Sequence, residues 1–490
     1  MTQNLVSTIN IDWKPDKTSK ISLSRQIVRY FIQKISQGDW IVAQKFPSQR
    51  KLSEIFEVNR STIIESLDVL SSLGIIESNF GQGTIIINTT WSLLISNSPP
   101  NWQNFIDSGV FKANSPTIQS INKLEYVSGM IRLGTGEMSP DLIPHKMMQK
   151  VLHKVTERSL NMNYLEPLGY IELRVALCKL IAKRGIHVSP SCILIVSGAL
   201  QALQLISLCM LRPHSTVFVE TPSYISSLRL FQSAGMNLCG IPMDDDGIIP
   251  WMINKKGSPN ETSLLYTMPD FQNPTGILMS EDRRKELMYY CRTNNLPIIE
   301  DDVFGDLWID KPTPFPIKAY DENGIVMYLG SMSKSLAPGL RLGWVVGPES
   351  VIQRLGDVKM QTDYGSSSIS QWALTEWLES GFYEEHLKVF RSKLKERRDL
   401  ALRILNEHYH DIASWSTPSG GYYIWLRLNK NISTDKLFEL ALNEKLLINP
   451  GSLYDSIKNQ CLRISYSYAN PQDLSTGLIR LAQLIRGLND

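Results

Sequence analysis

Paired cysteines are missing from this chain. Cys178, Cys192, Cys209, Cys239, Cys291 and Cys461 form no CxxC pair and no metal-like spacing, and most stand in apolar runs. They read as reduced core residues of a cytoplasmic protein that holds no metal. A leader is missing as well: "MTQNLVSTINIDWKPDK" has no basic start followed by an apolar stretch, so it is not expected to be a signal peptide. Nor is there a clean membrane span. The most apolar segment, Ile193 to Leu211, is interrupted by Ser197, Gly198, Gln201, Gln204 and Ser207, which fits a buried strand, turn and helix. Net charge is only +2, so affinity for nucleic acid must come from a local basic surface. No internal repeat or low-complexity tract stands out, and the basic run "RSKLKERRDL" reads as the solvated face of a helix.

At 490 residues, 43% of them hydrophobic and 20% charged, the chain has ordinary globular composition and is too long for one core. Its first ninety residues carry one pattern. Leu23, Ile27, Tyr30, Phe31 and Ile35 recur at helical spacing, with Gly38 as a stop. A second helix begins at Pro47 and Ser48 with Leu52 and Ile55 inward, and Asn59 caps a third, "RSTIIESLDVLSSLG". Two short helices about a tight turn make a helix-turn-helix, and "IIES" and "TIII" flanking "NFGQG" add a wing. In such a module the third helix enters the major groove, so Arg60, Ser61 and Thr62 at its start reach base edges or phosphates. Arg50 and Gln82 are placed to contact the backbone. The string "FPSQRKLSEIFEVNRSTIIESLDVLSSLGIIESNFGQGTII" resembles the winged-helix domain of GntR-superfamily regulators along its whole length. That resemblance implies a double-stranded DNA operator as partner, with Arg50, Arg60, Ser61, Thr62 and Gln82 as its contacts.

A stretch rich in Ser, Asn, Pro and Thr follows, from Asn88 to about Val127. It reads as a partly docked linker, because Trp91, Leu93, Leu94, Trp102, Phe105 and Phe111 would not stay in solvent. The expected division is 1–88 for DNA binding, 89–127 for the linker and 128–490 for one large domain. In that domain short apolar runs alternate with helical patterns: "CILIVSG", "TVFVE", "LPIIEDD", "IVMYLGS" and "RLGWVVG" each read as a strand. The alternation argues for an α/β fold around a mostly parallel sheet, with ligands at the carboxyl ends of the strands.

Chemistry-bearing residues fall at those ends. Gly198 and Ala199 stand between a strand and a helix, where free N–H groups suit a phosphate. Asp301 ends a strand, where a carboxylate could keep a ring nitrogen protonated. Ser331 and Ser333 flank Lys334, and Arg341 adds a bidentate cation; a lysine so placed has a depressed pKa and can form an imine.

In this order the motifs resemble those of fold type I pyridoxal-phosphate enzymes of the aspartate aminotransferase superfamily, over about Val127 to Asp490: "YLEPLGYIELRVAL", "SGALQAL", "ETPSY", "NPTG", "EDD", "SMSKSLAPGLRLGW" and "LRISYS". The resemblance implies the fold of those transferases, with a small C-terminal α+β subdomain, and pyridoxal 5'-phosphate as cofactor. Lys334 would form the Schiff base, Asp301 pair with the pyridinium nitrogen, Asn273 bond the ring hydroxyl and Tyr224 stack on the ring. Ser331, Ser333, Arg341 and the backbone of Ala199 and Leu200 would hold the phosphate, joined by Tyr164 of the partner subunit; Arg463 would clamp a carboxylate. Phe304 departs from the pattern, since many relatives have a tyrosine there and Phe cannot donate that bond. Ala199 and Leu200 also lack the side-chain donors often found in the phosphate cup.

A winged helix, a linker and this domain in one chain are similar to the MocR subfamily of bacterial transcriptional regulators. That implies a homodimeric regulator, often head to tail, sensing an amine, an amino acid or the cofactor itself by imine exchange at Lys334. The alternative is an active aminotransferase with a DNA-binding appendage, against which Phe304 leans by allowing weak turnover at most. In a third reading the large domain has lost its cofactor and only dimerises; the joint presence of Lys334, Asp301, Asn273 and Arg341 argues against it.

Overall fold

A computed structural model describes residues 9, 11–36, 39–40, 42, 44–79, 83–87, 108–111, 114–157, 163–254, 262–455 and 460–488, apart from the side chains of residues 79 and 225–227. The chain divides into two compact units, Met1–Gly109 and Val110–Asp490.

The first unit holds α1 (Leu23–Ser36), α2 (Gln49–Phe56), α3 (Arg60–Ser72), β1 (Ile76–Asn79) and β2 (Gly83–Ile86). Ile27, Phe31 and Ile35 form the buried stripe of α1 that the periodicity predicts. Its expected stop, Gly38, lies outside the described residues. α2 starts one position later than Ser48, whose hydroxyl instead caps it by accepting from the Lys51 N–H at 3.3 Å. The helix stops where Glu57 turns left-handed and returns its N–H to the Ser53 carbonyl. Leu52 is buried as expected; Ile55 is only partly buried, and Phe56 fills the core beside it. Asn59 stands at the cap position of α3 without a side-chain cap bond. Phe31 lies 5.1 to 5.6 Å from the rings of Phe46, Trp40 and Phe56, an aromatic centre for a unit this small. β1 and β2 pair antiparallel, Ile76 opposite Ile86, and form the wing.

In the second unit the helix Pro116–Leu124, capped by Ser115, buries Ile121 in the large core, so part of the stretch read as linker is ordered structure there. β3 (Ile131–Arg132) follows. The main sheet comprises β4 (Ile193–Val196), β5 (Thr216–Thr221), β6 (Asn237–Asp244), β7 (Gly247–Ile248), β8 (Ser263–Thr267), β9 (Ile298–Asp301), β10 (Val326–Ser331) and β11 (Gly343–Val346), in the order β4-β11-β10-β9-β8-β5-β6-β7. β6, β5, β8, β9 and β10 are parallel neighbours, whereas β11 runs against both β10 and β4. Every residue of β4, β8, β9, β10 and β11 is buried, as the unbroken apolar strings require when helices cover both faces.

A smaller antiparallel sheet, β12 (Ala413–Trp415), β13 (Tyr423–Leu428), β16 (Cys461–Ser465) and β15 (Asn449–Pro450), forms the C-terminal α+β part with the helices Phe382–His408, Thr434–Asn443 and Pro471–Gly487. β14 (Leu446–Leu447) pairs in parallel with β3, tying the start of this unit to its late part. The basic run at 391–400 corrects its expectation. Lys393, Lys395 and Glu396 are exposed, but Arg397 and Arg398 are buried: Arg397 donates to Asp141 at 2.8 Å, and Arg398 donates to the Pro418 carbonyl and to Asp310. Helical phase turns those two guanidiniums inward, where fixed partners offset desolvation. The six cysteines are free, with Cys291 and Cys461 buried and the others half-buried.

Candidate functional site

The carboxyl ends of β5, β8, β9 and β10 lie side by side because those strands are parallel neighbours; Asp301 is the last residue of β9, and the loops after β5, β8 and β10 carry Tyr224, Asn273 and Lys334. Asp301 Oδ2 accepts from the Tyr266 hydroxyl at 2.7 Å, and its Oδ1 is buried without a partner. Burial lifts the Asp301 pKa to about 6, while the Tyr266 bond and the nearby Lys334 oppose the rise. Gln272 couples two of the loops: its Nε2 donates to the Pro222 carbonyl at 2.8 Å, and its Oε1 accepts from Thr275 N–H and hydroxyl at 3.0 and 2.7 Å.

Lys334 Nζ donates to the Gly136 carbonyl at 2.5 Å. Desolvation, followed by the fields of Arg463 and Arg341, pulls its pKa down to about 8 against the opposing pull of Glu137 and Asp301. A lysine near 8 has a usable neutral fraction at physiological pH, as a nucleophilic amine requires.

Arg463, on β16, is 4% exposed. Nη1 donates to Asn273 Oδ1 at 2.8 Å and Nη2 to the Gly134 carbonyl at 2.5 Å, whereas Nε is buried with no partner. Tyr423, Tyr454 and Tyr224 surround the guanidinium at 4.2, 5.0 and 6.0 Å from its carbon to the ring centres. A charge held this way, with one donor to spare, suits a carboxylate.

At the other side of the site, the helix Ala199–Met210 begins with no side-chain cap behind Gly198, whose φ is +101°. Arg341, itself left-handed at φ +50°, donates to the Ser197 carbonyl at 3.1 Å, and a Cβ at Gly198 would sit 3.1 Å from its guanidinium. N–H groups at the start of this helix, Ala199 and Leu200 among them, suit an anion beside that guanidinium. Ser331 and Ser333 join the turn, their hydroxyls 3.1 Å apart, with Ser331 also 3.0 Å from the Leu342 carbonyl. Tyr164 is 80% exposed and meets Tyr364 at 4.8 Å. Phe304 is buried against Tyr422 and Tyr423, at 5.4 and 5.7 Å, so this departure from the family pattern is a packed ring with no polar role.

Sequence reasoning missed Tyr266, Tyr423, Tyr454 and the loop Gly134–Glu137. The tyrosines sit in apolar strands or aromatic strings with no local signal. The loop had one, since "LGTGE" spaces two glycines around a threonine, and both are needed: a Cβ at Gly134 would lie 2.2 Å from Asn449 Oδ1, and one at Gly136 would lie 2.5 Å from the Tyr423 hydroxyl.

This donor set fits pyridoxal phosphate on four counts: an unpartnered buried carboxylate oxygen at Asp301, an uncapped helix start, a low-pKa lysine, and a buried arginine with a spare donor. Among the described residues no cluster of metal-ligating side chains occurs, and no helix is long and apolar enough to cross a membrane.

In the first unit Arg60 and Ser61 are exposed and Thr62 is half-buried at the start of α3, with Arg60 Nη2 donating to Gln49 Oε1 at 3.3 Å. Arg50, 90% exposed, lies 3.5 Å from Glu54. Gln82 falls outside the described residues. Farther along α3 the outward face carries the exposed carboxylates Glu65 and Asp68, so its first turn suits phosphate better than the turns that follow.

Comparison with known proteins places both units. Bacterial regulatory proteins of the gntR family match residues 23–86, and aminotransferase class I and II matches residues 128–481. The chain is 48% identical, over 97% of its length and 98% of the relative's, to the uncharacterized HTH-type transcriptional regulator YisV of Bacillus subtilis. It is 36% identical to the HTH-type transcriptional regulator NorG of Staphylococcus aureus, over 90% of this chain and 99% of that one. Among solved structures it resembles a kynurenine aminotransferase of Pyrococcus horikoshii, with TM-score 0.74 and 30% identity over 79% of this chain and 98% of that one. The α-aminoadipate aminotransferase LysN of Thermus thermophilus is similar, with TM-score 0.72 and 27% identity over 79% of this chain and 99% of that one.

Proposed function

The chain belongs to the MocR-type HTH transcriptional regulators, DNA-binding proteins with a GntR winged helix and a pyridoxal-phosphate aminotransferase fold, and from that premise we propose that its large unit senses an amine or amino acid at Lys334. The observation that carries this reading is Lys334, with its lowered pKa, donating to the same short loop as Arg463, whose Nε is unpartnered. Pyridoxal phosphate supplies, when bound, an aldehyde carbon that condenses with amines, releasing water, and a ring that withdraws electrons toward its protonated nitrogen.

The protein's residues divide the remaining work. Asp301 offers Oδ1 to the ring nitrogen and holds its proton, Asn273 meets the ring hydroxyl, and Tyr224 covers the ring. The N–H groups of Ala199 and Leu200, Ser331, Ser333 and Arg341 take the phosphate, completed by Tyr164 of the partner subunit in a homodimer. Arg463 would bind the carboxylate of the effector, and Lys334 would be the amine whose attachment the effector's own amine competes for. Phe304 withholds a phenol from the ring hydroxyl, which favours reversible binding over turnover. Arg50, Arg60, Ser61, Thr62 and Gln82 contact the operator in the cytoplasm, and residues 89–127 link the two functions.

An effector alters DNA affinity only if it binds the two arrangements of the dimer unequally. The test is to titrate the full-length protein with amino acids, following visible absorption and affinity for DNA fragments selected by the protein itself. Lys334→Ala removes both the absorption band and the effector response. An unchanged response in that variant refutes the reading, and sustained amino transfer to a keto acid assigns the chain to the enzymes.

A further inference from the structure

The loop Gly134–Glu137 touches three parts of the molecule through three consecutive residues. The Gly134 carbonyl accepts from Arg463, the Gly136 carbonyl accepts from Lys334, and between them the Thr135 hydroxyl donates to Glu125 Oε1 at 2.9 Å. Glu125 is the C-cap of the helix Pro116–Leu124. That helix precedes the stretch matching aminotransferases, residues 128–481, and it is where the connector from the winged helix enters the large unit's core through Ile121. Thr135 is itself buried and Glu125 half-buried, so the donor end of this directional bond is fixed in the interior while the acceptor end lies nearer the surface.

We propose that Thr135 and Glu125 are the positioning pair through which occupancy of the sensor pocket is passed to the connector. This rests on the reading of Lys334 as the attachment lysine and adds the outgoing path. The Glu137 carbonyl is anchored by the Ser467 hydroxyl at 2.7 Å, whereas the carbonyls of Gly134 and Gly136 are held by the two cations that a ligand engages. When the Lys334 amine condenses with an aldehyde, two of its hydrogens leave with the carbonyl oxygen as water, and a protonated amine also returns its extra proton to solvent. The donor held by Gly136 is thereby withdrawn. A carboxylate on Arg463 competes for the guanidinium that now serves Gly134 and Asn273. With no Cβ to restrict their torsions, the peptide planes at Gly134 and Gly136 can rotate in place within this close packing, and the rotation reorients Thr135 between them. Its hydroxyl carries that movement to Glu125, one residue past the last turn of the connector's helix.

The signal predicted is a change of protection in that helix when the pocket fills, dependent on the Thr135 hydroxyl. The experiment is hydrogen–deuterium exchange on the full-length protein with and without pyridoxal phosphate, with loading followed separately by visible absorption. In the wild type, loading changes exchange in residues 116–125 by about three-fold or more. Thr135→Val, close in shape, still loads but loses that change, Thr135→Ser restores it, and Glu125→Gln weakens it. Thermal melts confirm that each variant is folded. A loaded wild type with unchanged exchange at 116–125, or a Thr135→Val protein that responds like the wild type, overturns the proposal. If loading itself is indifferent to Lys334→Ala, the attachment reading fails first, and the absorption arm identifies that failure on its own.

Discussion

The Tyr266 hydroxyl reaches Asp301 Oδ2 at 2.7 Å and leaves Oδ1 of the same carboxylate bare in the protein interior. One oxygen is steadied by the protein and the other has an acceptor to offer. Removing the support in Tyr266→Phe takes away a bond that favours the ionised carboxylate. Hydrogen bonds to charged groups contribute about 1.5–3 kcal/mol, so pyridoxal phosphate should bind roughly ten-fold or more weakly near neutral pH. An absorption titration measures this, and an unchanged dissociation constant refutes it.

Cofactor attachment should depend on pH in a direction set by Lys334. With its pKa near 8, the neutral amine increases about five-fold between pH 7 and 8 and then levels off. The attachment rate, followed by stopped-flow absorption, should trace that curve. Folding stability has the linked sign: a lysine with folded pKa below its usual 10.5 makes the native state gain stability as pH rises from about 8 toward 10.5. Lys334→Ala should lose that gain in denaturant titrations of the cofactor-free protein.

Arg463 should sort ligands by charge. Arg463→Ala should weaken the spectral response to amino acids by about ten- to a hundred-fold, as expected for a charge-assisted pair. The response to a simple amine without a carboxylate should change little. Equal losses for both would show that the substitution damages the pocket instead of one contact.

Gly136→Ala places a methyl group where the Tyr423 hydroxyl is 2.5 Å away. The strain should cost about 1–3 kcal/mol, typical of overpacking, seen as a lower melting temperature, and cofactor loading should fall with it. A variant as stable as the wild type would mean that the loop can retreat freely.

On DNA, Arg60→Ala should weaken binding and, if the arginine neutralises one phosphate, lower the logarithmic salt slope by about one. Arg50→Ala should act uniformly across sequences. Binding isotherms at several salt concentrations separate the two roles.

Much of the fold was legible because it rests on local pattern. Helical periodicity located α1, and unbroken apolar strings located β4, β5, β9, β10 and β11. Residues at strand ends, Asp301 and Lys334 among them, were legible because a parallel sheet gathers its loops at one edge. Partners from distant parts of the chain were not. Nothing near Asp301 points to Tyr266, and nothing near Lys334 points to Gly136, because those pairings exist only once β8 lies beside β9 and the C-terminal sheet closes over the loop. The inward turn of Arg397 and Arg398 was hidden for a similar reason: composition reports charge, whereas burial depends on which carboxylates and carbonyls the fold brings near.

The pairing of β3 with β14 sets an order of events during synthesis. Ile131 must wait for Leu446, and Gly134 for Arg463, before the pocket can close. Among the described residues the winged helix has a core of its own. Domains generally fold as units with the N-terminal one first on the ribosome, so the winged helix is complete in each nascent chain before the residues around Lys334 and Arg463 come together. The interval between the two is the time taken to translate the large unit.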